Sequence, residues 1–366
     1  MKKNGEIKSI IVLINSANAL QVDFLKNNDY DVDAALWIGD VGISGINAVA
    51  QILVGDVNPS GSLVDTYCYD NYSAPAMWNF TPSVYDGYVE GGDVPAKGST
   101  YMIYQEGIYV GYKYYETRYE DYVMDAGNAG DYAYGDIVAY PFGYGLSYTD
   151  FKFSDMTVNY NDALDVYTVA VKVTNTGAVA GKRTVQLYVQ SPYTDYDKQN
   201  GVEKAAVALV GFGKTGELAP GTSEIVTMNV NKRDIASYDT YGAGTYILDA
   251  GDYYFTAAND AHEAVNNILA AKGYTVASTN GKMTADGDAD LTYAWTEDKL
   301  DTTTYSVSEN GTAITNQLSC ADPNLYDGED NTVTWLSRSD WNGTLPTETV
   351  KLALTEQLKK DLQDIR

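Results

Sequence analysis

The sequence predicts two architectures in one chain: a partial α/β layer with a parallel sheet over residues 1–150, then an all-β sandwich over 151–260. A helix and an extended connector are expected over 261–366. Three observations carry this. The first sixty residues alternate apolar strand and helix signals, and an alternating βαβα order implies a parallel sheet with helices packed on it. From 151 the pattern becomes short runs of alternating apolar and polar residues, broken by Asn175-Thr176-Gly177 and Pro220-Gly221 turns. From 261 helical spacing returns, followed by a polar stretch rich in Asp, Thr, Asn and Gly.

Element by element, Ile7–Ile14, apolar but for Lys8 and Ser9, reads as a buried strand. Ala19–Lys26 reads as a short helix, Ala34–Ile38 as a second strand, and Gly39-Asp40-Val41-Gly42 as a turn. Ile46, Val49, Ala50 and Leu53 then recur at helical spacing up to a stop at Gly55. Two strands are too few for a stable parallel sheet, so this layer is expected to be part of a larger domain. Residues 56–150 read as loop-rich and aromatic. The sandwich strands are expected at Tyr167–Thr174, Thr184–Val189, Ala206–Phe212, Glu224–Val230 and Gly251–Ala257. Ala261, Val265, Ile268, Leu269 and Lys272 share a helical face, with Asp260 as N-cap and Gly273 as the stop. A last helix is expected over 347–365, carrying Val350, Leu352, Leu354, Leu358 and Leu362.

Composition narrows the function classes. With 50 acidic against 24 basic residues the net charge is -26, which argues against nucleic acid or an anionic membrane as partner. Tyrosine dominates the aromatics, 33 against 7 Phe and 5 Trp, which suits sheet surfaces, interfaces and sugar-binding clefts. Cys68 and Cys320 stand far apart, and His262 is the sole histidine. A Ser–His–Asp triad away from it is excluded, and neither a metal nor a cofactor is expected. No apolar run is long enough to span a membrane. Lys2, Lys3 and Ala17-Asn18-Ala19 imitate a signal peptide, but the apolar core Ile10–Ile14 falls short of the roughly 7–15 residues required.

Several segments resemble one family. Ala34-Ala35-Leu36-Trp37-Ile38-Gly39, Gly45–Val54 and Gly55-Asp56-Val57-Asn58-Pro59-Ser60-Gly61-Ser62-Leu63 are similar to the strand–helix–turn signature of the α/β sandwich domain in family 3 glycoside hydrolases. Glu106-Gly107-Ile108-Tyr109-Val110-Gly111-Tyr112 and Tyr140-Pro141-Phe142-Gly143-Tyr144-Gly145-Leu146-Ser147-Tyr148-Thr149 resemble later segments of that domain. Val173–Gly177, Ala180-Gly181-Lys182 and Val185–Val189 resemble the family's fibronectin-III-like, immunoglobulin-type sandwich. Ala261–Leu269 and Leu336-Ser337-Arg338-Ser339-Asp340-Trp341 are similar to members with inverted domain order, in which a (β/α)8 barrel follows the sandwiches.

The resemblance implies a retaining exo-acting β-glycosidase, β-glucosidase-like. Such an enzyme needs a carboxylate nucleophile and a carboxylic acid about 5–5.5 Å apart. In the family the nucleophile is an Asp on the barrel, and in many members the acid/base is a Glu in a loop preceding the strand that matches Ile7–Ile14. Neither is therefore expected in this chain, which is expected to be inactive alone and to work with a barrel on a β-glycoside. Ser339-Asp340-Trp341 makes Asp340 the one candidate nucleophile, but what precedes it is a sandwich and not a barrel, so a structural turn is the expected role. Trp78, Phe80 and Tyr85, with Glu106, are the candidates for a substrate-pocket wall; domain-interface packing is the competing role. His262, at a helix start, is expected to be a capping or core residue. A different class of function is a free-standing carbohydrate-binding or surface module built on the β-sandwich.

Overall fold

The computed structural model describes residues 2–326 and 331–363. Its α/β layer is small. β1 (Ile11–Ile14) pairs in parallel with β2 (Ala34–Trp37), Ile11 opposite Ala34 and Ile14 opposite Trp37. Between them α1 spans only Asp23–Lys26, and α2 spans Gly42–Leu53. The first strand is shorter than the apolar run Ile7–Ile14, because Ile10 N–H is taken by the Asp33 carboxylate (2.8 Å) instead of a neighbouring strand. Both elements keep much of their apolar surface in solvent: Ile11 is 48% exposed, Leu13 41%, Ile43 96% and Val54 72%.

The loop-rich reading of 56–150 needs a correction, for α3 (Tyr112–Val123) is a three-turn helix at the centre of the molecule. It starts after Gly111, whose φ of +55° an L side chain rarely adopts. Its inner face is Tyr115, Tyr119 and Val123, at helical spacing, with Glu116, Glu120 and Asp121 also buried. Hydropathy conceals such a face, since tyrosine and carboxylates count as polar while their bodies pack in the core.

The β-sandwich has two antiparallel sheets. β3 (Phe151–Asn161), β4 (Val166–Asn175) and β7 (Ser223–Asn231) form one, in the order β7-β4-β3. The other runs β6-β5-β8-β9, from β5 (Thr184–Gln190), β6 (Ala208–Lys214), β8 (Gly251–Ala258) and β9 (Thr292–Glu297). Alternate residues face the core: Val169, Val171 and Val173 meet Val185, Leu187, Phe255 and Ala257, all completely buried. Every expected sandwich strand is present to within two residues at each end. Two further strands complete these sheets. β3 precedes the first expected one and was not expected, and β9 comes from the segment read as an extended connector with short strands, pairing Trp295 with Tyr253. The sheet therefore extends beyond residue 260.

α4 (Ala261–Ala271) is capped by Asp260, whose carboxylate accepts from Glu263 N–H (2.8 Å). It ends at Gly273, where φ is +90°. Its buried Val265, Ile268 and Leu269 share a core with Tyr119 and Trp341, and Tyr119 Oη donates to Asn266 Oδ1 (2.7 Å). α4 thereby cements α3 to the sandwich.

The C-terminal segment is not one helix over 347–365. Residues 350–354 are extended: Tyr101 Oη donates to Val350 O (2.8 Å) and accepts from Leu352 N–H (2.9 Å), and Ala353 bridges Asp86. Val350, Leu352 and Leu354 fit a two-residue period as well as a helical one, and the aromatic loop offers a partner for the extended form. α5 (Glu356–Gln363) follows; residues 364 and 365 of the expected helix lie outside the described residues.

Candidate functional site

The segments singled out in the sequence converge on the junction between the α/β layer and the sandwich. Asn58 ties three of them: its Nδ2 donates to Ala180 O (3.0 Å), and its Oδ1 accepts from Ser147 Oγ (3.0 Å) and Tyr148 N–H (2.9 Å). Asn175 does the same inside the sandwich, donating to Val179 O and Leu218 O (both 2.8 Å) while Thr149 Oγ1 donates to its Oδ1 (2.7 Å). Tyr109, completely buried, donates to Glu203 Oε2 (2.6 Å). Tyr112 stacks on Phe142 at 4.6 Å, and its hydroxyl accepts from Leu209 N–H (3.0 Å).

At the centre of the junction lies a buried charge network. Arg338 donates from Nη2 to Asp121 Oδ1 (2.6 Å) and to Glu120 Oε2 (2.9 Å), and from Nε to Asp121 Oδ1 (3.0 Å). Lys272 and Gln190 both reach Glu120 Oε1 at 2.8 Å, and Trp341 Nε1 donates to Asp121 Oδ2 (2.8 Å). Burial alone would raise the Glu120 carboxyl, but the charges of Lys272 and Arg338 outweigh it and hold the group at about 2. Glu116 is likewise engaged, accepting from Tyr134 Oη (2.5 Å) and lying 2.8 Å from His262 Nδ1. His262 stacks on Tyr134 at 3.7 Å, and its Nε2 is 2.7 Å from Thr284 Oγ1. Glu116, Glu120 and Asp121 are thus committed as hydrogen-bond acceptors within the fold.

A pH prediction follows from Glu120. Its folded pKa lies below the ordinary 4.5, so its ionisation contributes stability that is complete above about pH 4.5. That contribution drains as the pH falls towards 2. Urea midpoints measured from pH 6 to 3 should fall more steeply for the native chain than for Glu120→Gln. Equal slopes would remove Glu120 from the account.

The candidate wall residues occupy a different region, around the loop that holds residues 350–354. Trp78 is half-buried, edge-on to Tyr72 at 5.6 Å, and its backbone carbonyl accepts from Thr349 Oγ1 (2.6 Å). Phe80 is 60% exposed. Between them Asn79 Nδ2 donates to Gln105 Oε1 (3.1 Å), which ties the Trp78–Phe80 turn to the residue preceding Glu106. Glu106 is buried, and burial pushes its carboxyl up. A carboxyl raised in this way keeps its proton to a higher pH than an exposed one. Tyr85 differs: it packs on Tyr101 at 4.6 Å and against Leu354, within the fold. Asp340 stands apart from these residues. It is exposed and caps the one-turn helix Trp341–Thr344, accepting from Gly343 N–H (2.9 Å). The network of Glu120, Asp121, Lys272 and Arg338 was not anticipated; adjacent carboxylates on a tyrosine-rich segment were its only signal.

Residues 2–112 match the glycosyl hydrolase family 3 C-terminal domain, and residues 183–261 match a fibronectin type III-like domain. The chain is 33% identical over 267 residues to a beta-glucosidase of Ruminococcus albus, a match taking in 72% of this chain and 24% of that protein. It is 35% identical over 263 residues to beta-glucosidase A of Butyrivibrio fibrisolvens, covering 68% of this chain and 28% of the relative. The solved structure of a beta-glucosidase from Paenibacillus barengoltzii superposes with a TM-score of 0.55 at 34% identity, over 70% of this chain and 24% of that one. The chain therefore spans about a quarter of the length of the relatives it matches.

Proposed function

The chain carries the C-terminal domain of glycosyl hydrolase family 3 followed by a fibronectin type III-like domain, and from that premise we propose that it is the accessory, non-barrel part of a retaining exo-acting β-glycosidase. The observation that carries this reading is the apolar exposure of the α/β layer, where Ile11, Leu13, Ile43, Ile46 and Val54 are all at least 41% exposed. A two-stranded parallel sheet is unstable alone, and so broad an apolar surface calls for a covering layer. In this reading the barrel supplies the nucleophile. Trp78 and Phe80 wall the pocket, and Glu106 bonds a substrate hydroxyl. The substrate is a terminal β-linked glucose-type residue of an oligosaccharide or glycoside.

The experiment is an assay of the purified chain on an aryl β-glucoside, alone and joined to the portion of the Ruminococcus albus relative outside the matched region. Expected are no turnover by the chain alone and turnover by the joined protein. Turnover by the chain alone that Asp340→Asn abolishes would overturn the reading. In the joined protein Trp78→Ala is expected to raise KM several-fold with little change in kcat, because a stacking contact made equally in ground and transition states is uniform binding. An unaltered KM would remove Trp78 from the wall.

A further inference from the structure

An open cleft of about 520 Å³ lies between the C-terminal end of α3, the segment after β5 and the outer side of β8. It contains none of Trp78, Phe80, Tyr85 and Glu106. Its size falls within the range of about 300–1,000 Å³ typical of small-molecule sites, enough for roughly one or two pyranose rings.

The lining is balanced in charge: the acids Glu120, Asp121 and Asp252 face the bases Lys198, Lys272 and Arg338. On a chain of net charge -26 this is a local exception. Four of the six charges are already spent on one another, in the Arg338–Asp121, Arg338–Glu120 and Lys272–Glu120 pairs. An ionic ligand could meet only Lys198 or Asp252 without breaking such a pair, whereas a neutral one needs to break none.

The same cleft presents hydrogen-bonding groups with capacity to spare. Asp252 accepts from Thr296 through Oδ1 (2.6 Å), which leaves Oδ2. Tyr254 Oη and Ser191 Oγ make no hydrogen bond with the described residues. The apolar share of the wall comes from the rings of Tyr193 and Tyr254. Each is held by a cation, Arg338 at 5.1 Å from the first and Lys272 at 5.3 Å from the second. Rings fixed in this way lose little entropy when a ligand lies against them. Immobilised tyrosines, spare hydroxyls, a free carboxylate oxygen and no net charge make up the complement of a polyhydroxylated, uncharged molecule.

We propose that this cleft is a binding site for a neutral oligosaccharide. The site is independent of the accessory role proposed above, because it needs neither a barrel nor turnover. Calorimetry on the full chain, with cello-, xylo- and β-1,3-gluco-tetraose each to 10 mM, is expected to give millimolar or tighter binding of at least one. Tyr254→Ala and Asp252→Asn, checked for an unchanged melting transition, should each weaken that binding about tenfold or more, and Trp78→Ala should leave it unaltered. Absence of binding by all three sugars would overturn the proposal. Binding lost in Trp78→Ala but kept in Tyr254→Ala would also overturn it and would assign the sugar to the other loop. Tighter binding of a tetragalacturonate than of any neutral sugar would refute the charge-balance argument.

Discussion

Replacing Arg338 by methionine is expected to destabilise the chain by about 3–5 kcal/mol, the usual cost of removing one partner from a buried ion pair. Arg338 is 6% exposed and serves two carboxylates at once. In its absence Lys272 still neutralises Glu120, but Asp121 keeps only the neutral donors Trp341 Nε1 and Asn128 Nδ2. A buried carboxylate with no cation is the costly product, and the cost should be concentrated there. The double variant Arg338→Met with Asp121→Asn is therefore expected to recover a substantial part of the loss, since it removes the stranded charge. Lysine at 338 should recover less than arginine provides, because a single ammonium cannot reproduce the fork across Glu120 and Asp121. Urea unfolding of these three variants and of Asp121→Asn alone measures this directly. A single variant within 1 kcal/mol of the parent, or a double variant worse than the sum of its parts, would show that the network is not what holds the junction.

Trp341→Ala should cost a similar amount, about 3–5 kcal/mol, through lost packing and a lost donor. The indole is completely buried, edge-on to Tyr109 at 4.7 Å and to Tyr114 at 5.7 Å. Its removal leaves a cavity among rigid rings that cannot collapse, and withdraws the Nε1–H from Asp121. One residue earlier, Asp340→Asn should stay within about 1 kcal/mol, because asparagine also caps a helix turn well. The contrast separates two readings of Ser339-Asp340-Trp341. If the motif holds the junction together, stability tracks Trp341 and is indifferent to Asp340. Thermal melts of both variants decide it, and equal losses at the two positions would contradict the assignment.

Much of the fold was legible one element at a time. Val169, Val171 and Val173 alternate because a strand turns every second side chain inward, and that period is visible without knowing the partner strand. Asp260 and Gly273 bound their helix because an N-cap carboxylate and a left-handed glycine act within a few residues. α3 escaped notice for a chemical reason: its core face is tyrosine, whose ring is apolar while its hydroxyl keeps its hydropathy low. Residues 350–354 escaped for a contextual one, since three aliphatics at alternate positions suit strand and helix alike until Tyr101 supplies its hydroxyl.

The candidate site divides along the same line. The chain's own residues determined the order of an α/β layer and a β-sandwich, the caps that end α4, and the family resemblance carried by contiguous motifs. These depend on spacing within a turn, a pleat or a loop. Only the tertiary structure decided that Arg338 meets Asp121, 217 positions away, that Asp340 caps an exposed turn, and that Asn79 bonds Gln105. No local period encodes such meetings. They arise because burying tyrosine faces between α3, α4 and the sandwich draws distant carboxylates out of water, and a carboxylate so buried has to find its cation wherever the chain can bring one.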